Sequence, residues 1–298
     1  MVSDVAVVVV SYNSAAVIGD LLDSVPAALD GLSGMVVVVD NGSSDDTVAI
    51  VRARGDCLVV EAENRGYAAG INRGVVEAPR TAAIAVLNPD LVLSAGALRV
   101  LVDALDQPET GIVAPRIVNP DGSLFQSLRH APSVLNTVGL SFIGNPRFSE
   151  YVTDPTQYSQ PGIVDWALGA ALVVSRECHE RLGGWDETFF LYSEETDLCL
   201  RARDHGMLTR YEPGATVMHI GGGSGSSPRS HSMQIVNLVR LYRRRHGLPA
   251  SAAYMVLVTV RELKWWRRHP DNSRAAVRAL LRPSQRPAEL KCTGYIPC

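Results

Sequence analysis

Val36-Val37-Val38-Val39-Asp40-Asn41-Gly42-Ser43 is an unbroken β-branched run that ends abruptly in a polar cluster. Four valines with no polar alternation suit a strand covered on both faces, the situation of parallel strands joined by crossover helices. The pattern recurs along the chain. Residues 7–11 run into Tyr12-Asn13, Val86-Leu87 into Asn88-Pro89-Asp90, and Phe189-Phe190-Leu191-Tyr192 into Ser193-Glu194-Glu195-Thr196-Asp197. Buried parallel strands deliver such polar ends to one edge of a sheet, where ligands bind. Acidic groups at three of the edges point to a charged, metal-bound ligand, and the chain reads as an enzyme.

Working outward, the first hundred residues alternate strand and helix. Strands are predicted at 5–10, 35–39, 57–61 and 82–87, and helices near 15–29, 45–53, 67–77 and 94–105. That spacing argues for right-handed βαβ units. Ser43-Ser44-Asp45-Asp46 supplies capping residues for the second helix. Residues 119–163, with five prolines and little periodicity, read as a long functional loop region before apolar elements resume at 164–175. Ser193 is placed to cap a helix over 194–205, whose first turn holds three carboxylates, more than capping requires. Residues 221–227 are expected to form a mobile glycine-serine loop.

The 298 residues are 46% hydrophobic, enough for one large core or two modest ones. The net charge of −3 hides an asymmetry: residues 240–291 hold 13 basic and 3 acidic side chains, whereas residues 1–239 hold 15 and 28. An acidic body with a basic tail suits a metal-using catalytic region joined to something that meets an anionic surface, although a solvated basic helix pair has the same composition. The five cysteines are scattered without metal-ligand spacing, so reduced thiols are expected, with Cys292 and Cys298 in a mobile tail. The N-terminus lacks a signal-peptide pattern, and residues 252–260 are too short to span a bilayer. A cytoplasmic protein, peripheral at the inner face of a membrane, is the resulting expectation.

The ordered motifs Val-Val-Ser-Tyr-Asn, Val-Asp-Asn-Gly-Ser-Ser-Asp, Asn-Arg-Gly-Tyr-Ala-Ala-Gly-Ile-Asn, Leu-Asn-Pro-Asp, Gly-Gly-Trp-Asp-Glu, Glu-Glu-Thr-Asp-Leu-Cys-Leu-Arg and His-Ile-Gly-Gly-Gly-Ser span residues 5–246. Together they resemble the inverting family 2 glycosyltransferases, within them the rhamnosyltransferase-like branch. The resemblance implies an α/β, GT-A-type Rossmann-like fold with a mainly parallel sheet flanked by helices and a C-terminal helical extension. It implies a glycosyltransferase region over 1–239, with a nucleotide-binding half to about 110 and an acceptor half over 111–239, followed by a basic amphipathic tail over 240–298. The implied reaction moves a sugar, plausibly L-rhamnose, from a dTDP- or UDP-sugar to a hydroxyl of a glycan, lipid-linked or small-molecule acceptor.

The resemblance assigns Asp40 a hydrogen bond to a pyrimidine base, against the alternative of a turn-forming Asp in Asp-Asn-Gly. Ser11 and Asn13 lie where the base sits. Asn64, Arg65, Gly66 and Asn72 lie beside nucleotide and sugar, Arg65 either neutralising phosphate or serving as a surface residue. Asn88-Pro89-Asp90 stands in place of an Asp-x-Asp motif, so only Asp90 is ionised; His219 is the second metal candidate, for Mg²⁺ or Mn²⁺. Asn88 is a turn former or a sugar contact. Aligning the family's acidic pair puts the base at Glu195, with Asp197 supporting acceptor or helix geometry. Glu194, Trp166, Trp185 and Asp186 are the acceptor candidates, with Gly169 beside them; either tryptophan can equally fill core.

Arg243-Arg244-Arg245 and Lys264-Trp265-Trp266-Arg267-Arg268-His269 fit helices on an anionic membrane, although core packing of the tryptophans competes. No nucleic-acid reading motif is present, and a homodimer stays open. Two rivals remain: a sugar-nucleotide-binding protein without transfer, because the metal pair is reduced, and a nucleotide-dependent oxidoreductase, which lacks GxGxxG at the first βα turn.

Overall fold

A computed structural model describes residues 4–137, 145–221 and 227–298; the glycine-serine loop expected at 221–227 lies almost wholly outside the described residues. The chain begins β1 (Val5–Ser11), α1 (Ile18–Leu29), β2 (Gly34–Asp40), α2 (Thr47–Arg54), β3 (Cys57–Glu61), α3 (Tyr67–Glu77) and β4 (Ala83–Leu87). There follow β5 (Leu91–Leu93), α4 (Ala97–Asp103), β6 (Thr110–Val118), β7 (Leu128–Arg129), the single turn α5 (Val134–Thr137), β8 (Gly162–Val164), β9 (Trp166–Ala167) and β10 (Ala171–Ser175). The remainder is α6 (Arg176–Leu182), α7 (Glu194–Asp204), β11 (Leu208–His219), α8 (Pro228–Arg245), α9 (Leu248–Trp265) and α10 (Pro270–Leu281).

Among the described residues the main sheet runs β3-β2-β1-β4-β10-β6-β11-β5, with β8 on β11. β1 to β4 are mutually parallel, β10 is antiparallel between β4 and β6, and β11 runs parallel to β6. The register Ser11↔Asp40 brings the first two polar strand ends side by side. β1 shows why the valines run without a break. Val5, Val7 and Val9 enter the core under α1, while Val8 and Val10 enter the opposite core with Ile71 and Val75 of α3. α3 lies close against this sheet: a Cβ on Gly70 or Gly74 would stand only 2.7 and 2.5 Å from Val10 and Val8. Gly70 therefore serves helix–strand approach.

Cap geometry differs in detail from the sequence reading. Asp46 is the N-cap of α2 but makes no side-chain cap bond; Asp45 instead accepts from the Thr47 N–H and hydroxyl. Ser193 precedes α7 with φ +74° and no side-chain cap bond. In the proline-rich region β7 pairs antiparallel with β9, which places Arg129 of β7 opposite Trp166 of β9 beside the site.

The expected boundary at 239/240 falls within α8, which begins at Pro228. Arg240, Arg244 and Arg245 in its C-terminal half face the main body, whereas Arg243 donates to the His246 carbonyl at the end of the helix. Arg240 donates to the Thr188 and Leu290 carbonyls, Arg244 to Asp186 and the Thr188 hydroxyl, and Arg245 to both Asp204 oxygens. These residues are tertiary ties, not a membrane-facing stripe. The tail is ordered as well: Arg286 donates to the carbonyls of Cys292, Gly294 and Tyr295, and Cys292 is buried. All five cysteines are free, and burial pushes the Cys199 thiol up to about 11. Among the described residues no helix is long and apolar enough to cross a membrane.

Candidate active site

The site is built where β1, β2, β4 and β11 end and where α7 begins. Asp40 is buried, and its carboxylate accepts four hydrogen bonds: Oδ1 from the Ser11 (3.0 Å) and Ser43 (2.5 Å) hydroxyls, Oδ2 from the Gly42 (3.1 Å) and Ser43 (2.8 Å) N–H groups. Four bonds fill its lone-pair capacity. The turn-forming reading thus accounts for Asp40, and a base contact would have to displace one of these donors. Asn13, at φ +51°, accepts from the Ser44 N–H and hydroxyl, which fastens the two neighbouring strand ends together. Tyr12, between Ser11 and Asn13, has an exposed ring.

The 64–67 loop is tied to the segment before α7. The Tyr67 N–H donates to the Phe190 carbonyl (2.8 Å), and Gly66, at φ +103°, passes so near that a Cβ would lie 2.4 Å from that oxygen. Asn64 accepts from the Gly66 N–H, while Arg65 pairs with Glu187 on the surface. Asn72 is committed elsewhere: its amide donates to the Trp185 carbonyl and Glu187, and its carbonyl accepts from the Trp185 N–H. Through this stitching Tyr67 donates to Asn88 Oδ1 at 2.7 Å. Burial, followed by the charges of Glu194, Glu195 and Asp90, pushes the Tyr67 hydroxyl well up. One phenol therefore sits between the acid that follows β4 and the two acids that begin α7.

Asp90 is buried, its Oδ2 3.2 Å from His219 Nε2, and its Oδ1 has no partner among the described residues. Strand pairing enforces this meeting, because His219 is in register with Leu91. Phe125 packs edge-on against the His219 ring. No cluster of three potential ligands occurs among the described residues. Asp90 and His219 could hold a divalent ion that completes its shell from phosphate and water, as Mg²⁺ commonly does, and the orphaned Asp90 oxygen is the group such an ion would satisfy.

Tyr192 and Ser193 both occupy the left-handed region, at φ +69° and +74°, and this turn starts α7. Glu194 and Glu195 are buried in its first turn, each with one oxygen lacking a partner among the described residues. The helix N-terminus favours their ionised forms, yet burial dominates. Glu194 is raised well above the usual carboxylate range by burial and then by the charge of Glu195. Glu195 is raised by burial but held down in part by N–H groups of its own residue, Thr196 and Gly169, and by the Arg129 charge. Gly169 permits this approach, since a Cβ there would lie 3.0 Å from the Glu195 side chain.

Glu195 also lines a groove of about 940 Å³ that runs past Trp166, Leu168 and Tyr151 to α9. Trp166 donates its indole N–H to the His130 carbonyl, and Arg129 stands 3.9 Å above the Tyr151 ring. Trp185, by contrast, is 2% exposed and packs in the core, so it offers no face to an acceptor. Asp186 accepts from Thr188 and Arg244. Asp197 Oδ2 takes the Arg201 Nε at 2.6 Å, with Arg244 4.0 Å from Oδ1. Asp197 thus belongs, with Asp186 from the segment before α7, to an arginine cluster on the other side of the helix and not to the groove, because two helical steps of about 100° each turn it away from Glu195. Tyr67, Arg129 and Tyr151 escaped the sequence reading. Tyr67 had a signal, as the first helical residue after Gly66, whereas Arg129 reaches the site only through a two-residue strand inside a proline-rich stretch.

The sequence pattern described as "Glycosyl transferase family 2" matches residues 6–161. A Mycobacterium tuberculosis protein named N-acetylglucosaminyl-diphospho-decaprenol L-rhamnosyltransferase is 32% identical over 215 residues, covering 66% of this chain and 70% of that protein. A Haloferax volcanii low-salt glycan biosynthesis hexosyltransferase, Agl10, is 27% identical over 217 residues, 68% of this chain and 62% of its own length. The fold is similar to the Pyrobaculum calidifontis mannosyltransferase PcManGT, solved with GDP-Man and Mn²⁺, at TM-score 0.58 and 19% identity, covering 94% of this chain and 76% of that one. It is also similar to GalNAc-T7, solved with UDP, GalNAc and Mn²⁺, at TM-score 0.60 and 15% identity, covering 80% and 47%. With its GT-A fold and its strand-end acids, the chain belongs to the family 2 glycosyltransferases.

Proposed function

We propose that this glycosyltransferase moves L-rhamnose, with inversion, from a dTDP- or UDP-linked donor to a hydroxyl of a lipid-linked glycan. The named activity of the M. tuberculosis relative supports both sugar and acceptor class. The observation that carries the mechanism is the placing of Glu195, a buried carboxylate with one unsatisfied oxygen, on the wall of a groove. Glu194 and Glu195 titrate as a pair, and their surroundings push them apart. Glu194, without comparable donors, keeps the shared proton. Glu195, with the Gly169 N–H and Arg129 beside it, ionises first and is the base.

The acceptor hydroxyl gives its proton to Glu195 as its oxygen bonds to the anomeric carbon, and the bond from that carbon to the diphosphate breaks on the opposite face. The base of the donor would sit over the 11–13 and 41–43 backbone, with the Tyr12 ring available to stack. Asn88, oriented by Tyr67, would face the sugar. Asp90 and His219 would hold the divalent ion, Mg²⁺ or Mn²⁺, whose bound charge stabilises the departing diphosphate.

Calorimetric titration with dTDP and UDP, each with and without Mn²⁺, tests the donor half. Binding should depend on the metal, and Asp90→Ala should weaken it by about tenfold or more. No binding of either nucleotide to folded protein would sink the reading. Retained donor binding with neither transfer nor donor hydrolysis, across a broad set of acceptors, would leave a binding protein instead.

A further inference from the structure

The geometry points to the outer face of α9 and the turn after it as a docking surface for an anionic bilayer. α9 buries Ser251, Tyr254, Val258 and Glu262 against its neighbours. On the opposite side Val256, Val260 and Leu263 remain 61%, 43% and 48% exposed, and helical spacing puts them in a sector of roughly 60°. Three uncovered aliphatic side chains on one helix face are a contiguous apolar stripe, which calls for a partner. Trp265 and Trp266, both exposed, follow at its C-terminal end, where amphipathic rings suit the level of lipid headgroups.

Charge identifies the occupant. Lys264, Arg267 and Arg268 are exposed beside the stripe and form no ion pair among the described residues. The single acid between 248 and 269 is Glu262, which is buried and bonded to His231 and Ser273. Apolar residues, interfacial tryptophans and three unpaired cations, against a single exposed acid nearby, Asp271 at the start of α10, match an anionic membrane surface better than a neutral partner. The arginines of α8 provide the contrast, because the same composition there is consumed by Asp186 and Asp204.

The surface also has an address. Val260, Lys264, Trp265 and Arg268 line the end of the groove whose other wall is Glu195. Docking would therefore open the groove at the bilayer, so that an acceptor anchored in lipid reaches the base without leaving its membrane. That consequence rests on the transferase reading; the docking does not.

Sedimentation of the full chain with vesicles separates the two. Vesicles of phosphatidylcholine containing about a third phosphatidylglycerol should bind the protein, and pure phosphatidylcholine at least about tenfold less. Val256→Asp/Leu263→Asp, which lies outside the groove, should lose about tenfold or more of that binding with an unchanged circular dichroism spectrum, and Arg267→Glu a smaller part. Wild-type protein that ignores anionic vesicles, or a double variant that binds as before, overturns the proposal. So does a wild-type dimer, seen by light scattering, that the double variant converts to monomer without any vesicle binding. Metal-dependent nucleotide binding by the same samples reports on the transferase reading independently.

Discussion

The two sides of α7 carry the same chemistry to opposite ends. On one side Glu195 has a backbone N–H from Gly169, an unsatisfied oxygen and an open groove. On the other, two positions on, Asp197 is closed off by Arg201, with Arg244 nearby. The difference lies in the neighbours rather than in the residue type. A carboxylate that meets a guanidinium becomes a tie, and one that meets N–H dipoles beside a cavity keeps a lone pair for reaction.

Glu195→Gln breaks the comparison at its strongest point. Single-turnover assays should show transfer reduced by about a thousandfold, with metal-dependent nucleotide affinity unchanged. Asp197→Asn is the mirror test. Chemical denaturation should report a loss of only about 1–2 kcal/mol, because burial already pushes the Asp197 carboxyl up and Arg201 keeps the Leu182 and Gly184 carbonyls, while kcat of the folded fraction stays within a few-fold. If Asp197→Asn abolished turnover while Glu195→Gln spared it, the two sides would have to be exchanged. Tyr67→Phe sharpens the active side: without its bond to Asn88, kcat should fall by about tenfold, with little change in Tm.

The smallest effect concerns Glu194. Its carboxyl is held above the usual range, so the folded state binds its proton more tightly than the unfolded chain. Stability from this group is present at low pH and is lost as pH rises past the ordinary carboxylate range towards the folded value. Glu194→Gln removes that loss. Its Tm should exceed the wild type by about 2–4 °C at mildly alkaline pH and converge with it in acid. A gain that is largest in acid would contradict the sign.

The parallel half of the sheet was legible because both-face burial writes itself as valine runs with no polar break, and the acids at the strand ends could be read off the same runs. The GT-A fold and the family followed from motif order. Individual side chains were less legible. Trp185 and Asn72 look like ligand residues in sequence, yet the Asn72 side-chain amide is spent on the Trp185 backbone N–H and C=O, 113 positions away. Charge misled in the same way: Arg244 sits in a basic run, but its partners Asp186 and Thr188 are 58 and 56 residues away. Nothing local distinguishes such an arginine from Arg267, because the distinction is made entirely by what the fold brings opposite.

α8 makes one further demand on the molecule. It starts beside the loop after β11 and ends with arginines clamped onto the segment before α7, so the terminal helices share their ties with the catalytic body. Such a splint predicts that body and terminal helices melt in one cooperative transition, which calorimetry of the full chain would show as a single peak. Cutting the chain after 239 would strip Asp186 and Asp204 of their cations and leave the α7 segment without its brace. The terminal helices are therefore not a detachable module: changes to them are constrained by the folding of the catalytic body as well as by whatever they bind.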